Sequence, residues 1–205
     1  MKKIIVDILL LILMLIEYSK VYLPGEIHEI IGILLIILVA IHLILNKKYL
    51  KAIKKRKYNI KQKSLLIINI SLFILFFITT VFGILSSQYI LTPLNIGNLS
   101  IISLHKILAY LTLIILGMHL GFNLEKMFKI DNKLTYLIDV AIIIFGAYSL
   151  IQVDFYNHIT GNLGFSQSSG NILINILEYL SIILMVTAIT KLIIKKIRWL
   201  DYIII

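Results

Sequence analysis

Four of the five histidines in this 205-residue chain form two pairs with the same spacing, His28 with His42 and His105 with His119. Fourteen residues of α-helix rise about 21 Å and return to within about 40° of the starting face. Each pair therefore places two imidazoles on one helix face, near opposite edges of a membrane. Two such helices side by side would form two sites, each with one histidine from each helix. Bis-imidazole ligation of two haems is the chemistry that these sites would support.

The two histidine segments also form an internal repeat. When residues 28–46 are aligned with residues 105–123, the segments share His, Ile, Leu, Ile, His, Leu and Asn. Small residues occupy equivalent places in the two segments: Gly32 and Ala109 after the first histidine, and Ala40 and Gly117 before the second. We expect these small residues to leave room for a flat macrocycle against the helix. Close packing between membrane helices is the alternative use of small residues.

The composition indicates an integral membrane protein. The chain is 60% hydrophobic and its mean hydropathy is +1.01, far above the values of soluble domains. Six segments approach the roughly 20 apolar residues that cross a bilayer. These segments are 4–22, 27–45, 64–87, 101–122, 136–153 and 172–194. We expect an all-α polytopic fold, a single domain over residues 1–205, with six transmembrane helices and a four-helix core around two haems, formed by the second to fifth helices.

The basic residues predict the orientation. Of the 20 Lys and Arg residues, nine lie in residues 47–63, and all but Lys20 and Lys106 fall on one side of the predicted spans. The positive-inside rule then places both termini in the cytoplasm, with the chain in the cell membrane. This distribution explains the net charge of +10 without a nucleic-acid partner, although residues 47–63 could also dock an acidic lipid or protein.

This topology fixes which histidines meet. Because the two histidine segments both run from outside to inside, His28 pairs with His105 at the outer edge and His42 with His119 at the inner edge. The two irons would lie roughly 20 Å apart, given the helix rise. An electron could then cross the membrane through them. The chain contains no cysteine, which excludes iron–sulfur clusters, covalently attached haem and thiolate metal sites within it.

Acidic residues in the apolar segments invite two interpretations. Asp7 and Glu17 lie ten residues apart in the first segment, on nearly the same helix face. They could form a proton path to a quinone, or they could be interfacial charges. Asp139 and Glu178 allow the same two interpretations. Because the first segment carries acids and no small-residue cleavage site, we expect it to be retained as a span and not removed as a signal peptide.

Two further residues near the outer side have candidate roles. Lys106 follows His105 directly and could pair with a haem propionate or remain a solvated interfacial lysine. His158, the fifth histidine, lies in the polar segment 154–170, which could dock an electron partner or border a quinone site. A surface position in a loop is the simpler expectation for His158.

At the paired histidines the sequence resembles the two-haem, four-helix cytochrome b architecture. The same pairs, with thirteen residues between the histidines, occur in the cytochrome b of quinol–cytochrome c reductases and in the ferric reductase and NADPH oxidase transmembrane domain. The chain is most similar to a family of small bacterial cytochrome-b-like membrane domains akin to formate dehydrogenase cytochrome b subunits. The motif covers residues 28–46 and 105–123, and weaker likeness extends to residues 80–86, residues 145–148 and the sixth segment.

The resemblance implies two non-covalent haem b groups held by His28, His42, His105 and His119, and electron transfer across the membrane. It also implies a quinone or a redox protein as partner, such as an extracytoplasmic flavoprotein. Ferric reductases carry their histidine pairs on the third and fifth spans, whereas these are on the second and fourth. We expect no FAD- or NAD(P)H-binding domain after the sixth segment, and therefore an electron-transfer subunit of an oxidoreductase and not a complete enzyme.

Two other classes of function remain open from the sequence. An ionisable residue within a membrane span is costly and is usually functional, and the same histidines could move a transition metal or protons in a small transporter. The third interpretation is a membrane assembly or scaffold protein without a redox centre.

Overall fold

The computed structural model describes residues 2–53, 58–124, 133–162 and 170–203; for residue 52 and residues 196–203 it describes the backbone alone. Over these ranges the chain is helical and contains no strand. The helices are α1 (Lys2–Tyr18), α2 (Gly25–Leu45), α3 (Lys47–Ala52), α4 (Ile60–Leu85), α5 (Leu99–Leu124), α6 (Lys133–Gln152), α7 (Phe155–Ile159) and α8 (Ile172–Ile203). Lys126 and Lys129, part of the basic run 47–63 and part of the loop 154–170 lie outside the described residues.

Five helices in the described ranges are long and apolar enough to cross a membrane: α2, α4, α5, α6 and the Ile172–Lys195 part of α8. Large apolar side chains are exposed along these helices, as a lipid environment requires. The predicted all-helical membrane fold is confirmed at this level. Helix α1 has 17 residues, including Asp7 and Glu17, and it lies at the lower limit of a spanning length.

Local sequence explains where several helices begin. Pro24 precedes α2 with a φ of −53°, a value that its ring enforces and that suits a helix start. The side chain of Asn59 accepts a 2.8 Å hydrogen bond from the backbone N–H of Gln62 at the start of α4. Asn98 accepts in the same way from the N–H of Ser100, and Asn171 accepts from the N–H of Leu173.

Helix α8 is the most buried of the long helices, with over half of its apolar window inside the protein. The main apolar core joins α8 to α1, α5 and the end of α6, through Leu15, Leu113, Val153, Ile182 and Ile183. The prediction placed the second to fifth spans in the core. The structure differs, because the described residues of α6 pack mainly on α8 and α7.

Glycines bring α5 and α6 close to α8. A Cβ atom added at Gly117 would lie 2.7 Å from Cβ of Val186, and one added at Gly146 would lie 2.4 Å from Cβ of Met185. The carbonyl of Gly117 also accepts a 3.0 Å hydrogen bond from the hydroxyl of Thr187. Gly117 was predicted to make room for a macrocycle. Its place is instead the interface between α5 and α8, which is the helix-packing alternative.

Each of the two histidine-bearing helices, α2 and α5, forms a hairpin-like pair with the long helix before it, α1 with α2 and α4 with α5. Within the described residues, α2 packs far more on α1 than on α4 or α5. Polar contacts join the two pairs at both ends: Ser87 donates to Glu29 at one end, and Asn69 donates to the hydroxyl of Tyr49 at the other. Helices α2 and α5 therefore run parallel, with a gap between them.

Candidate functional site

A cavity of about 560 Å³ lies between α2 on one side and α4 and α5 on the other. His28 and His105 both line it, and so do Gly32 and Ala109. We call this end of the bundle the His28 end, and the opposite end, which carries His42 and His119, the His42 end. A cavity of this size at the meeting point of several helices is typical of a cofactor or ligand site.

The rings of His28 and His105 face the same part of the cavity. Their ring centres lie 6.3 Å apart and their planes are inclined at 80°. Metal–imidazole bonds of about 2 Å on each side of one iron would put the two ring centres about 6 Å apart. The observed separation of the two rings, one from each helix, is therefore compatible with a haem iron bound between α2 and α5.

A backbone carbonyl on α4 orients His105. Nδ1 of His105 donates a 2.9 Å hydrogen bond to the carbonyl oxygen of Thr79. With Nδ1 protonated, Nε2 keeps the lone pair that binds a metal. The ring also packs against Gly83, where an added Cβ would lie 3.0 Å from Cε1 of His105. Glycine at this position therefore lets α4 approach the ring closely.

A carboxylate on α1 lies beside the ring of His28. Nδ1 of His28 lies 2.9 Å from Oε2 of Glu17, and both side chains are more than four-fifths buried. Gly32, one turn further along α2, lies beside the same carboxylate, with 3.9 Å between an added Cβ and Oε2 of Glu17. Glu17 was predicted to be either part of a proton path or an interfacial charge, and its contact is with the imidazole.

At the His42 end, side-chain oxygens on α1 and α4 contact the other two histidines. Nδ1 of His42 donates to Oδ1 of Asp7 at 2.7 Å, and Nδ1 of His119 donates to Oδ1 of Asn69 at 2.8 Å. The amide nitrogen of Asn69 donates to the hydroxyl of Tyr49. This second bond orients the amide oxygen of Asn69 toward His119.

The two predicted pairs lie at opposite ends of the helices. His28 and His105 are in ring contact, and the imidazoles of His42 and His119 are bound by oxygens of Asp7 and Asn69. Next to each of these imidazoles is the asparagine of the repeat, with the amide nitrogens of Asn46 and Asn123 lying 3.4 Å and 3.3 Å from the respective Nε2 atoms. At these distances the contacts are weak hydrogen bonds.

The internal repeat extends beyond the two histidine segments. Asp7 and Glu17 on α1 are ten residues apart, and so are Asn69 and Thr79 on α4. In both hairpins the earlier residue contacts the later histidine, and the later residue contacts the earlier histidine. Sequence reasoning missed Asn69 and Thr79, although the ten-residue spacing was present as a signal.

Another carboxylate, that of Glu29 on α2, closes the His28 end of the cavity. Glu29 accepts hydrogen bonds from the hydroxyl of Ser87 and from the backbone N–H groups of Gln88, Tyr89 and Ile90. The ring of Tyr89 lies over Gly25, where an added Cβ would be 2.1 Å from the ring. The loop between α4 and α5 is therefore fixed to the start of α2. Sequence analysis did not single out Glu29.

An aromatic cluster borders the cavity on the side of α8. The hydroxyl of Tyr18 donates a 2.7 Å hydrogen bond to the carbonyl of Ala109, and the hydroxyls of Tyr110 and Tyr179 lie 2.6 Å apart. The ring of His158 stacks on that of Tyr110, with 4.5 Å between their centres.

The prediction of a surface position for His158 was wrong. This residue is only 7% exposed, because the short helix α7 folds back on α5. Burial lowers the pKa of His158, the charge of Lys106 lowers it further, and the carboxylate of Asp154 acts in the opposite direction. His158 is therefore neutral at pH 7.

Buried polar atoms that make no hydrogen bond within the protein gather around the cavity. Among the side chains that the structure describes, five atoms are of this kind: Oε1 of Glu17, the hydroxyl of Tyr22, Nδ1 of His28, Nδ1 of His158 and Oδ1 of Asn175. Nδ1 of His28 lies 2.9 Å from Oε2 of Glu17, within ion-pair distance but outside hydrogen-bonding geometry. Four of these five residues line the cavity. Such atoms are costly unless a ligand or water satisfies them, which favours a ligand with polar groups.

The described residues do not form a site of the kind that holds a bare metal ion. In the part of the chain covered by the structure, no three His, Asp or Glu side chains converge as they would around such an ion. A haem needs only two protein ligands, because its macrocycle supplies the other four.

Comparison of the chain with known protein families, curated proteins and solved structures finds no significant match in any of the three.

Proposed function

We propose that this protein is a membrane electron-transfer protein, a cytochrome b that holds b-type haem between α2 and α5. The observation that carries the proposal is the placement of His28 and His105, whose ring centres are 6.3 Å apart across the cavity. Their two Nδ1 atoms face oxygens on α1 and α4. Both Nε2 atoms would then serve as axial ligands, with the second nitrogen of each ring oriented by its partner.

The haem would supply one-electron chemistry, cycling between ferric and ferrous iron. The residues that would hold the group are His28 and His105. Two imidazole ligands would favour electron transfer over the binding of oxygen. Lys106 lines the same cavity, where its ammonium would be a partner for a carboxylate such as a haem propionate.

A second haem is proposed at the His42 end, with His42 and His119 as ligands. Support comes from the repeat, since each of these imidazoles has the same kind of oxygen partner as its counterpart at the His28 end. Formation of this site requires Asn46 and Asn123 to turn away from the Nε2 atoms.

In the proposed arrangement α1 is a sixth membrane span, and both termini lie on the cytoplasmic side, as the distribution of lysines favours. The protein would act as the membrane subunit of an oxidoreductase. It would pass electrons between a quinone or a cytoplasmic donor and an extracytoplasmic partner, such as a flavoprotein. The parallel course of α2 and α5 suits this role, because each end of the bundle would carry one haem.

A reduced-minus-oxidised absorption spectrum of protein purified from haem-replete cells tests the proposal. We expect sharp b-type bands and two haems per chain, with the low-spin electron paramagnetic resonance signal of bis-histidine ligation. A colourless protein would overturn it. Uptake of a transition metal or protons by vesicles containing that colourless protein would then support the transporter interpretation.

A further inference from the structure

Nδ1 of each paired histidine faces an oxygen on the helix that precedes it in the hairpin, but the two hairpins supply different oxygens. Helix α1 supplies carboxylates, Glu17 to His28 and Asp7 to His42. Helix α4 supplies uncharged oxygens, the carbonyl of Thr79 to His105 and the amide of Asn69 to His119. The two hairpins are thus alike in geometry and unlike in charge.

We propose that Glu17 and Asp7 are positioning residues that make the two imidazoles of each haem site inequivalent and lower the reduction potential of the haem beside them. The proposal rests on the proposed function, because it assigns a role to α1 within that same site. Each haem would have one strongly donating imidazole from α2 and one ordinary imidazole from α5.

The physical reason is the effect of the acceptor on the ring. A carboxylate beside Nδ1 favours the tautomer that carries a proton on Nδ1 and raises the basicity of Nε2. A more basic ligand, together with a nearby negative charge, stabilises ferric iron more than ferrous iron. A carbonyl or amide oxygen also fixes the tautomer but carries no net charge, so its effect on the potential is smaller.

The two carboxylates differ in burial, so their effects on the reduction potentials should also differ. The side chain of Glu17 is 15% exposed and that of Asp7 is 51% exposed. Electrostatic interactions weaken as solvent access increases. In addition, Lys3 lies near Asp7, since its ammonium donates to the side chain of Asn46 at the same end. We therefore expect the larger effect from Glu17.

The test is a redox titration of the haem-loaded protein with Glu17→Gln and Asp7→Asn, which keep the size and remove the charge. Glu17→Gln should shift the ferric–ferrous equilibrium of one haem by about tenfold, which is about 59 mV upward for a one-electron couple. Asp7→Asn should shift the other haem upward by less. Repeating the titration in a His42→Ala background identifies which haem is which.

Two further variants separate this role from a merely structural one. Glu26→Gln removes an exposed carboxylate from the first turn of α2 and should shift either potential far less than Glu17→Gln does. Glu17→Asp keeps the charge and should return the potential toward the wild-type value. Two haems with unchanged potentials in Glu17→Gln and Asp7→Asn, or an equal shift of both haems in each variant, would overturn this inference and leave the proposed function standing. A wild-type chain without haem would overturn both.

Discussion

The carboxylate of Glu29 accepts a 2.7 Å hydrogen bond from the hydroxyl of Ser87, on the opposite side of the cavity. Three backbone N–H groups of the same loop donate to this carboxylate as well. The contact joins the two hairpins directly beside His28. The distance between His28 and His105 therefore depends on a residue that is a ligand to neither of the proposed irons.

Loss of the charge at Glu29 should loosen the loop between α4 and α5. In Glu29→Gln one oxygen is replaced by an amide donor, and the charge-assisted hydrogen bonds are lost, at a cost of about 1.4 kcal/mol. We expect about tenfold faster amide hydrogen exchange at Gln88, Tyr89 and Ile90. Glu26→Gln is the matched control, because Glu26 is exposed in the first turn of α2. Equal exchange in the two variants would contradict the role given to Glu29.

Because α6 approaches α8 closely at Gly146, we expect alanine to destabilise the protein much more at Gly146 than at Gly32. Gly146→Ala introduces a methyl group against Met185 and the carbonyl of Ser181, which should destabilise the protein by about 1–3 kcal/mol. Gly32→Ala places the same methyl group in ordinary contact with Glu17 and should change stability little. Thermal unfolding in detergent measures both, and a Gly146→Ala variant as stable as Gly32→Ala would refute this packing.

An ion pair links the same two helices. The ammonium of Lys191 donates to Oδ2 of Asp139 at 2.6 Å, with side-chain exposures of 29% and 13%. Lys191→Met leaves the carboxylate nearly buried and unpaired, which should cost about 2 kcal/mol, a fully buried pair costing more. The double variant Asp139→Leu/Lys191→Met should recover most of that loss. Chemical unfolding in detergent tests this, and no recovery in the double variant would argue against the pair.

His158 should make the stability of the protein depend on pH. Because its pKa is lowered in the folded state, the unfolded chain binds the proton more readily as the pH falls through about 6.5. The free energy of unfolding should therefore keep its full value above that pH. It should decline as the pH falls further, until the pH reaches the pKa of His158 in the folded state. In His158→Phe, which keeps the stacking on Tyr110, this part of the decline should disappear from melting temperatures measured between pH 5 and pH 8. An unchanged profile would contradict it.

Sequence reasoning succeeded where a pattern had one physical meaning. The apolar segments predicted a helical membrane protein, and the structure agrees. The spacing of the histidines placed His28 and His105 at the same end of parallel helices, where the structure also has them. The haem itself stays a prediction.

Other features depended on tertiary contacts that no local pattern encodes. His158 was expected in a surface loop, but the position of α7 against α5 buries it. Gly117 belongs to an interface with α8, because which face of α5 meets α8 is decided by packing across the bundle. Asn69 and Glu29 are ordinary polar residues in the sequence, and only their partners reveal their roles.

The pairing of histidines is tested most directly by counting haems in double variants. The wild-type chain should hold two haems, and His28→Ala and His105→Ala should each hold one. The double variant His28→Ala/His105→Ala should also hold one, because both changes remove the same site. His28→Ala/His119→Ala should hold none, and His158→Ala should hold two. Complete loss in the His28/His105 double variant, with one haem kept in the His28/His119 double variant, would contradict the proposed sites.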